Sequence, residues 1–447
     1  MTGVAPLERV RQLLLGGLTR SVSRNITARL LAILGLTLST IFIARSSGSS
    51  GVGVYALLRV MPGLFGVLAV CGLPGALAFF LSPPRRDRAG MWPTILVVMV
   101  VGSAVGVLAW LALAPILAHT FFPGDSSLLI GLASVTVASQ LFLTVGKTAL
   151  QGLEDRRGSD TVIAAEELAF LPCFAIALAG GLNGTAAVLV GLAGADLVVG
   201  LDAWRRVSRN LGWRRGGLAR EPLGWWGRPD RALARQIVSY GLRGQVGGVI
   251  LLLNLRLDFA ILGAIAGPAV LGSYAIASKY AELLKLPGVA ITWVTYPSLA
   301  KNKPHEMARR ARAMLKPAAA LVAVAAVPLL FLAHPVLVVL YGREFASATG
   351  PAQILILGLV LSGASGVASG FLYGRGRPGA NSLALGVGLV VTLVLDLLLI
   401  PKYGVTGAAW ASTTAYLVGD AILVTMLLAM SAPARRAPSL DTLETVR

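Results

Sequence analysis

Apolar runs of twenty or more residues follow one another along almost the whole chain, each long enough to cross a bilayer as a helix. A chain written this way folds as a polytopic α-helical membrane protein. Of its 447 residues, 56% are hydrophobic and only 13% charged, with a mean hydropathy of +0.77. Soluble domains carry roughly twice that charged fraction. The runs lack the strand-length alternation of a membrane β-barrel. Cys71 and Cys173 both fall inside apolar runs, so they read as small buried side chains and not as a disulfide framework. The opening MTGVAPLERVRQLLLGGLTR reads as an amphipathic stretch for the membrane surface, not as a cleaved secretory signal.

Hydropathy places twelve spans near 26–45, 53–81, 92–117, 128–149, 161–181, 184–204, 237–263, 271–298, 317–340, 351–373, 379–401 and 405–430. An even number puts both termini on one side. Most of the 39 Lys and Arg residues lie before the first span, after the even-numbered spans, and above all within 205–235 and 301–316. The positive-inside rule makes that side the cytoplasm, so the net charge of +19 is a topology signal with some attraction to anionic lipid, not a sign of nucleic acid. The segment RRVSRNLGWRRGGLAREPLGWWGRPDRALAR reads as topology with interfacial tryptophans, or as a dock for a cytoplasmic partner. It divides an N-terminal lobe, 1–204, from a linker, 205–235, and a C-terminal lobe, 236–447.

The lobes echo each other. VGVYALLR at 52–59 and LGSYAIASK at 271–279 both read Gly-x-Tyr-Ala and place a basic residue, Arg59 or Lys279, in an apolar run. LQG at 150–152 echoes LYG at 372–374, and Ala186-Ala187 falls on Ala408-Ala409. Ordered matches at near-constant offset indicate a six-span unit used twice, the parallel-repeat plan of some transporters. The expected fold is two pseudo-symmetric six-helix bundles around a central cleft.

Charge inside a span costs at least a few kcal/mol unless it serves or is paired. From the expected span ends, Arg59 lies roughly 9 Å deep, Lys279 roughly 12 Å and Lys285 roughly 21 Å from the outer side. Arg243 lies roughly 9 Å above the inner end of span 7, and Arg256 near its outer end. The functional reading is a cationic cleft for an anionic lipid headgroup, held by Arg in bidentate contacts and by Lys as a point charge. The alternative is snorkelling, or pairing of Lys279 and Lys285 with Glu282. Tyr55 and Tyr274 read as interfacial anchors or as stacking platforms for the rings of a ligand. Glu166, Glu167, Asp196 and Asp420 read as hydrogen-bonded or protonated buried carboxyls. Pro62 and Pro287 read as packing kinks.

Several phrases resemble the polysaccharide-export (Wzx-type) flippases, in a superfamily shared with lipid II flippases and multidrug extruders. They are ARSSGSSGVGVYALL, LRLDFAILGAIAGPAVLGSYAIASKYAELLKLPGVAITWVTYPSLAK, LYGREFASATGPAQILILG and LDLLLIPKYGVTGAAWAST. The resemblance covers nearly the whole chain. It implies a V-shaped pair of six-helix bundles in the inner membrane. It also implies transfer of an undecaprenyl-diphosphate-linked oligosaccharide from the inner to the outer leaflet, with membrane lipids and polysaccharide assembly proteins as the other partners. A lipid II flippase or a cation-coupled drug extruder is the nearest alternative. The extruder is disfavoured because span 1 holds no acid and the central charges are basic. A membrane glycosyltransferase or polymerase would need a long outer loop with carboxylates, and the short outer loops hold only Asp125 and Glu344. No phosphate-binding loop, metal cluster or catalytic triad is written in the chain, which reads as a non-enzyme without a cofactor.

Asp258, Asp396, Thr392, Thr413 and Thr414 converge at roughly 7–15 Å from the outer side. Two carboxylates with hydroxyls suit a hard cation such as Na⁺, or one carboxylate suits a proton. Some lipid II flippases have a Na⁺ site with acids in spans 7 and 11 and a hydroxyl in span 12, and Asp258, Asp396 and Thr413 fall in the matching stretches. Arg256 near Asp258 and Lys402 near Asp396 equally suit a structural ion-pair network.

The expected topology is checked by thiol labelling in intact cells, with Cys71 and Cys173 replaced. Cysteines placed in 205–235 or 301–316 should resist impermeant reagents, and labelling of either loop from outside reverses the orientation.

Overall fold

The computed structural model describes residues 5–82, 90–210, 228–288, 291 and 304–430. Every regular element among them is helical: α1 Ala5–Ala69, α2 Leu73–Phe80, α3 Met91–Phe121, α4 Ser127–Leu132, α5 Ser134–Gly152, α6 Arg156–Ala179, α7 Gly184–Asn210, α8 Arg231–Glu282, α9 Pro304–Tyr341, a 3-10 turn Arg343–Ala348, α10 Thr349–Leu359, α11 Ser362–Gly374 and α12 Pro378–Met430. Eight of the described helical stretches are long and apolar enough to cross a membrane, and the pair Arg343–Leu359 and Ser362–Gly374, bent by 41°, makes a ninth. Phe331, Val324, Ile176 and Leu108 are exposed on such helices, as lipid-facing side chains must be.

Three of the long helices exceed one crossing. Arg24–Ala69 has 46 residues and Gly379–Met430 has 52, about 70 and 80 Å of helix against a core of about 30 Å. Each is two segments joined at a glycine with non-helical backbone: Gly48 (φ 64°), Gly267 (φ 82°) in α8 and Gly404 (φ 53°) in α12. Counting those segments separately brings the described candidates close to the twelve spans expected, with 15 helical residues after Gly267 before α8 ends at Glu282. The sequence reading expects short loops near 46–52, 264–270 and 402–404. One glycine in the left-handed region suffices in each case, because it carries no Cβ to clash.

The helix breaks follow backbone hydrogen bonding. α1 runs unbroken through Pro62 and ends at Ala69, followed by left-handed Cys71 and Gly72. Pro62 leaves the Leu58 carbonyl without its helical donor, and Gln140 Nε2 reaches it from α5 at 3.4 Å. Near Pro287, by contrast, α8 ends at Glu282, one turn earlier, where the proline ring would clash. The amphipathic start is helical from Ala5 and continues into the first crossing. Arg24 and Asn25 both bind Asp160 of α6, at 2.9 and 2.7 Å.

Two compact units emerge. One comprises Met1–Ile276, Val336–Ala348 and Ile400–Val405, and the other Ala277–Pro335, Thr349–Leu399 and Thr406–Arg447. The chain first passes from one to the other inside α8, after Ile276, and returns twice, and none of these points lies in the 205–235 segment, of which 211–227 lie outside the described residues. In the first unit Leu77, Trp92, Ile95, Leu143, Val145, Leu150 and Trp204 share a core. In the second, Ala311, Val367, Phe371, Leu372 and Leu427 do so.

The repeated phrase packs against its own copy within the first unit. A Cβ on Gly53 would sit 1.8 Å from the Pro268 carbonyl oxygen, and one on Gly272 would sit 1.9 Å from that of Ser49. Gly53 and Gly272 are equivalent positions, and so are Ser49 and Pro268, all at the offset that separates Gly48 from Gly267 and Tyr55 from Tyr274. Each copy therefore presents its glycine to the same point on the other, as in an isologous interface. Small residues let helix backbones touch where lipid supplies no hydrophobic drive.

Gly53→Ala and Gly272→Ala should each lower the melting temperature of the purified protein in detergent by several degrees, an overpacking effect of about 1–3 kcal/mol. Because one seam is opened by either, the double variant should lose less than the two losses added together. Full additivity would count against a shared seam.

Candidate functional site

The first unit holds a charged cluster within its helices. Arg59, on the segment after Gly48, donates to the Tyr55 hydroxyl at 2.8 Å and forms an ion pair with Glu167 of α6. Lys147 of α5 pairs with Glu166 at 2.5 Å, and Ser139 donates to Asp196 of α7 at 2.9 Å. Arg59, Gln140, Thr144, Glu166, Phe170 and Asp196 line a cavity of about 120 Å³. Three acids thus accompany two cations. The sequence reading offers Arg59 no acidic partner, whereas its helical segment begins at Ser49 and α6 at Arg156, both earlier than expected. At 1.5 Å per residue Arg59 and Glu167 then lie about 15 and 17 Å from opposite ends, which sums to about one bilayer core. Lys147 went unread although it stands inside the apolar run LFLTVGKTAL, the same signal that singled out Arg59.

Tyr55 and Tyr274 are buried, with 1% and 0% of their surface exposed. The Tyr55 ring packs on Phe170, and that of Tyr274 meets Phe259 edge-on. The Tyr274 hydroxyl donates to Asp258 at 2.7 Å, and the Phe259 amide adds a second bond to that carboxylate at 2.9 Å. These rings are packing elements here, not interfacial anchors. Arg256 lies 5.2 Å over the Phe259 ring, and Arg243 is exposed.

The second unit has its own charges. Lys285 pairs with Glu282 at 3.2 Å and sits 4.9 Å over the Tyr416 ring. Lys279 is half-buried at the start of this unit. Asp396, Thr392 and Thr413 are all buried here, and the Thr413 hydroxyl donates to the Ile354 carbonyl at 2.8 Å. Asp258 belongs to the first unit and the other three to the second. Among the described residues no group of three or more His, Cys, Asp or Glu side chains is placed to hold a metal.

A sequence profile for polysaccharide biosynthesis proteins matches residues 18–303. The chain belongs to that family. It is 22% identical over 405 residues to the probable low-salt glycan biosynthesis flippase Agl15 of Haloferax volcanii, covering 89% of this chain and 80% of that protein. An uncharacterized membrane protein of Methanocaldococcus jannaschii, MJ1068, is 25% identical over 194 residues, 42% of this chain and 38% of the relative. The fold matches an inward closed lipid II flippase MurJ (TM-score 0.69, 12% identity, 92% of this chain and 90% of that one). It matches an inward-facing MATE multidrug transporter equally well (TM-score 0.69, 15% identity, 91% and 94%). The chain is thus a multi-pass membrane protein with the fold of these exporters, and the flippases and transporter that it resembles are not enzymes.

Arg59→Met should lower the melting temperature by several degrees, because Glu167 is left without its cation in a low-dielectric site. Adding Glu167→Met should restore most of the loss. A double variant as unstable as the single one would show that the ion pair is not what holds Arg59.

Proposed function

We propose that the protein flips a polyprenyl-diphosphate-linked oligosaccharide, undecaprenyl-linked in a bacterium, from the inner to the outer leaflet of the cytoplasmic membrane for polysaccharide biosynthesis. Both termini face the cytoplasm. The observation that carries this reading is the likeness to a glycan flippase over most of both chains. The basic side chains within the spans support it. A lipid diphosphate must carry its negative charge through hydrocarbon, and Arg59, Lys279 and Lys285 offer positive charge at depth. Arg243 and Arg256 extend that set toward the ends of span 7. Glu167 and Glu282 hold Arg59 and Lys285 in place between substrates, so that the diphosphate exchanges with a carboxylate and no bare cation has to wait in the membrane.

The reaction needs an energy source, and we assign it to a Na⁺ or proton gradient acting through Asp258, Asp396, Thr392 and Thr413. The burial of both carboxylates supports this, because a proton or cation relieves charge in such a place. Transport into vesicles by Asp258→Asn and Asp396→Asn, with and without an imposed gradient, checks it. The variants should lose their gradient response, and an unchanged response excludes these residues.

The substrate reading is tested with proteoliposomes that flip a short-chain polyprenyl-diphosphate sugar. Lys279→Ala should lose at least about tenfold in rate, and Lys279→Arg should retain activity, since charge is what the diphosphate reads. The Arg59→Met/Glu167→Met variant should be stable and yet inactive. Full activity in both Lys279→Ala and the double variant would overturn the cationic account.

A further inference from the structure

The segment around Gly48 makes a second, unexpected set of bonds. Because Gly48 breaks α1, the helix that resumes at Ser49 begins with amides that have no carbonyl one turn earlier. The carboxylate of Glu344, in the 3-10 turn after α9, accepts from the Ser49 amide at 3.1 Å and also from the Ser49 hydroxyl. A Cβ on Gly48 would sit 3.0 Å from Glu344 Oε2, so the glycine also leaves room for the carboxylate. The converse bond lies three residues before the break. Arg45 Nε donates to the Leu340 carbonyl at 3.0 Å, and its terminal nitrogen donates to that of Val339. Those carbonyls close α9, which ends at Tyr341.

Two helix ends therefore cap each other across 295 residues of sequence. An anion sits on an N-terminus and a cation on a C-terminus, the signs that the helix dipoles favour. Arg45 and Glu344 are themselves exposed, so each rehydrates readily once parted. Ser49, by contrast, is buried, and its carbonyl is the one that Gly272 abuts in the glycine seam. The capped segment and the seam are the same stretch of chain.

We propose that Arg45 and Glu344 form a reversible latch, a reciprocal pair of helix caps that holds residues 45–53 to the end of α9 and keeps the glycine seam shut. Opening of the seam requires both caps to exchange their helix ends for water. The latch is independent of what the protein carries, and its test needs no substrate.

The reporter is Val52→Cys, at a seam position that is 1% exposed, in a background lacking Cys71 and Cys173. Its labelling by a water-soluble maleimide is timed in detergent. Arg45→Ala or Glu344→Ala should speed labelling by at least about fivefold, the effect of losing one helix cap. Glu344→Gln, which keeps an acceptor oxygen without the charge, should give a smaller rise. Raising ionic strength should speed labelling in the parent but not in Glu344→Ala, since exposed charges are screened. Labelling no faster in either alanine variant overturns the latch. So does an equal rise at a remote buried reporter, Val207→Cys near the far end of α7, together with a collapsed melting temperature, because that would be general loosening.

Discussion

In hydrocarbon a backbone amide or carbonyl without a partner costs several kcal/mol, and this structure is organised by where those partners are found. Helices satisfy most of them internally. The informative places are the interruptions. Gln140 takes up the carbonyl released by Pro62. Trp110 and Trp204 donate their indole N–H groups to the Ile130 and Phe142 carbonyls, at 2.7 and 2.9 Å. At Gly48 the helix stops and restarts without a loop, and a carboxylate from a distant turn takes the first amide. Polar side chains at depth are thus placed largely by the backbone's own requirements.

The fold class was legible because hydrophobic runs of bilayer length leave few alternatives. The repeat was legible too, through Tyr55 and Tyr274 and the offset between them. Their roles were not. A tyrosine near the start of an apolar run reads as an interfacial anchor, and only coordinates show that the helix begins several residues earlier and draws the ring inside. The extra residues come from Gly48 and Gly267, whose tight turns consume no loop. The same lengthening moved Arg59 toward mid-depth and into contact with Glu167.

Charge pairing was the least legible feature. Glu282 stands three residues from Lys285, and the helical period alone suggested that pair. Glu167 is 108 residues from Arg59, and nothing in the spacing announces their meeting. Lys147 and Glu166 belong to neighbouring helices and are likewise invisible to a periodicity argument. Such pairs keep several charges within the membrane at moderate cost. For the candidate coupling residues the sequence offers an expected depth, but nothing in it announces the hydrogen bond that Thr413 gives to the Ile354 carbonyl.

The reciprocal caps also constrain the order of biogenesis. Ser49 leaves the ribosome long before Glu344, and at 5–20 residues per second the 295 intervening residues take about 15–60 s to make. Until Gly272 is made, 223 residues after Ser49, the start of the second crossing has neither the facing glycine of the second copy nor its carboxylate cap, and over the remaining 72 residues it lacks the cap alone. Its first amides must be held by interfacial water, which is available because the break at Gly48 falls at a helix end and not at mid-membrane. A nascent chain paused within this window would present a bare glycine face, open to the small-residue face of any other inserting helix.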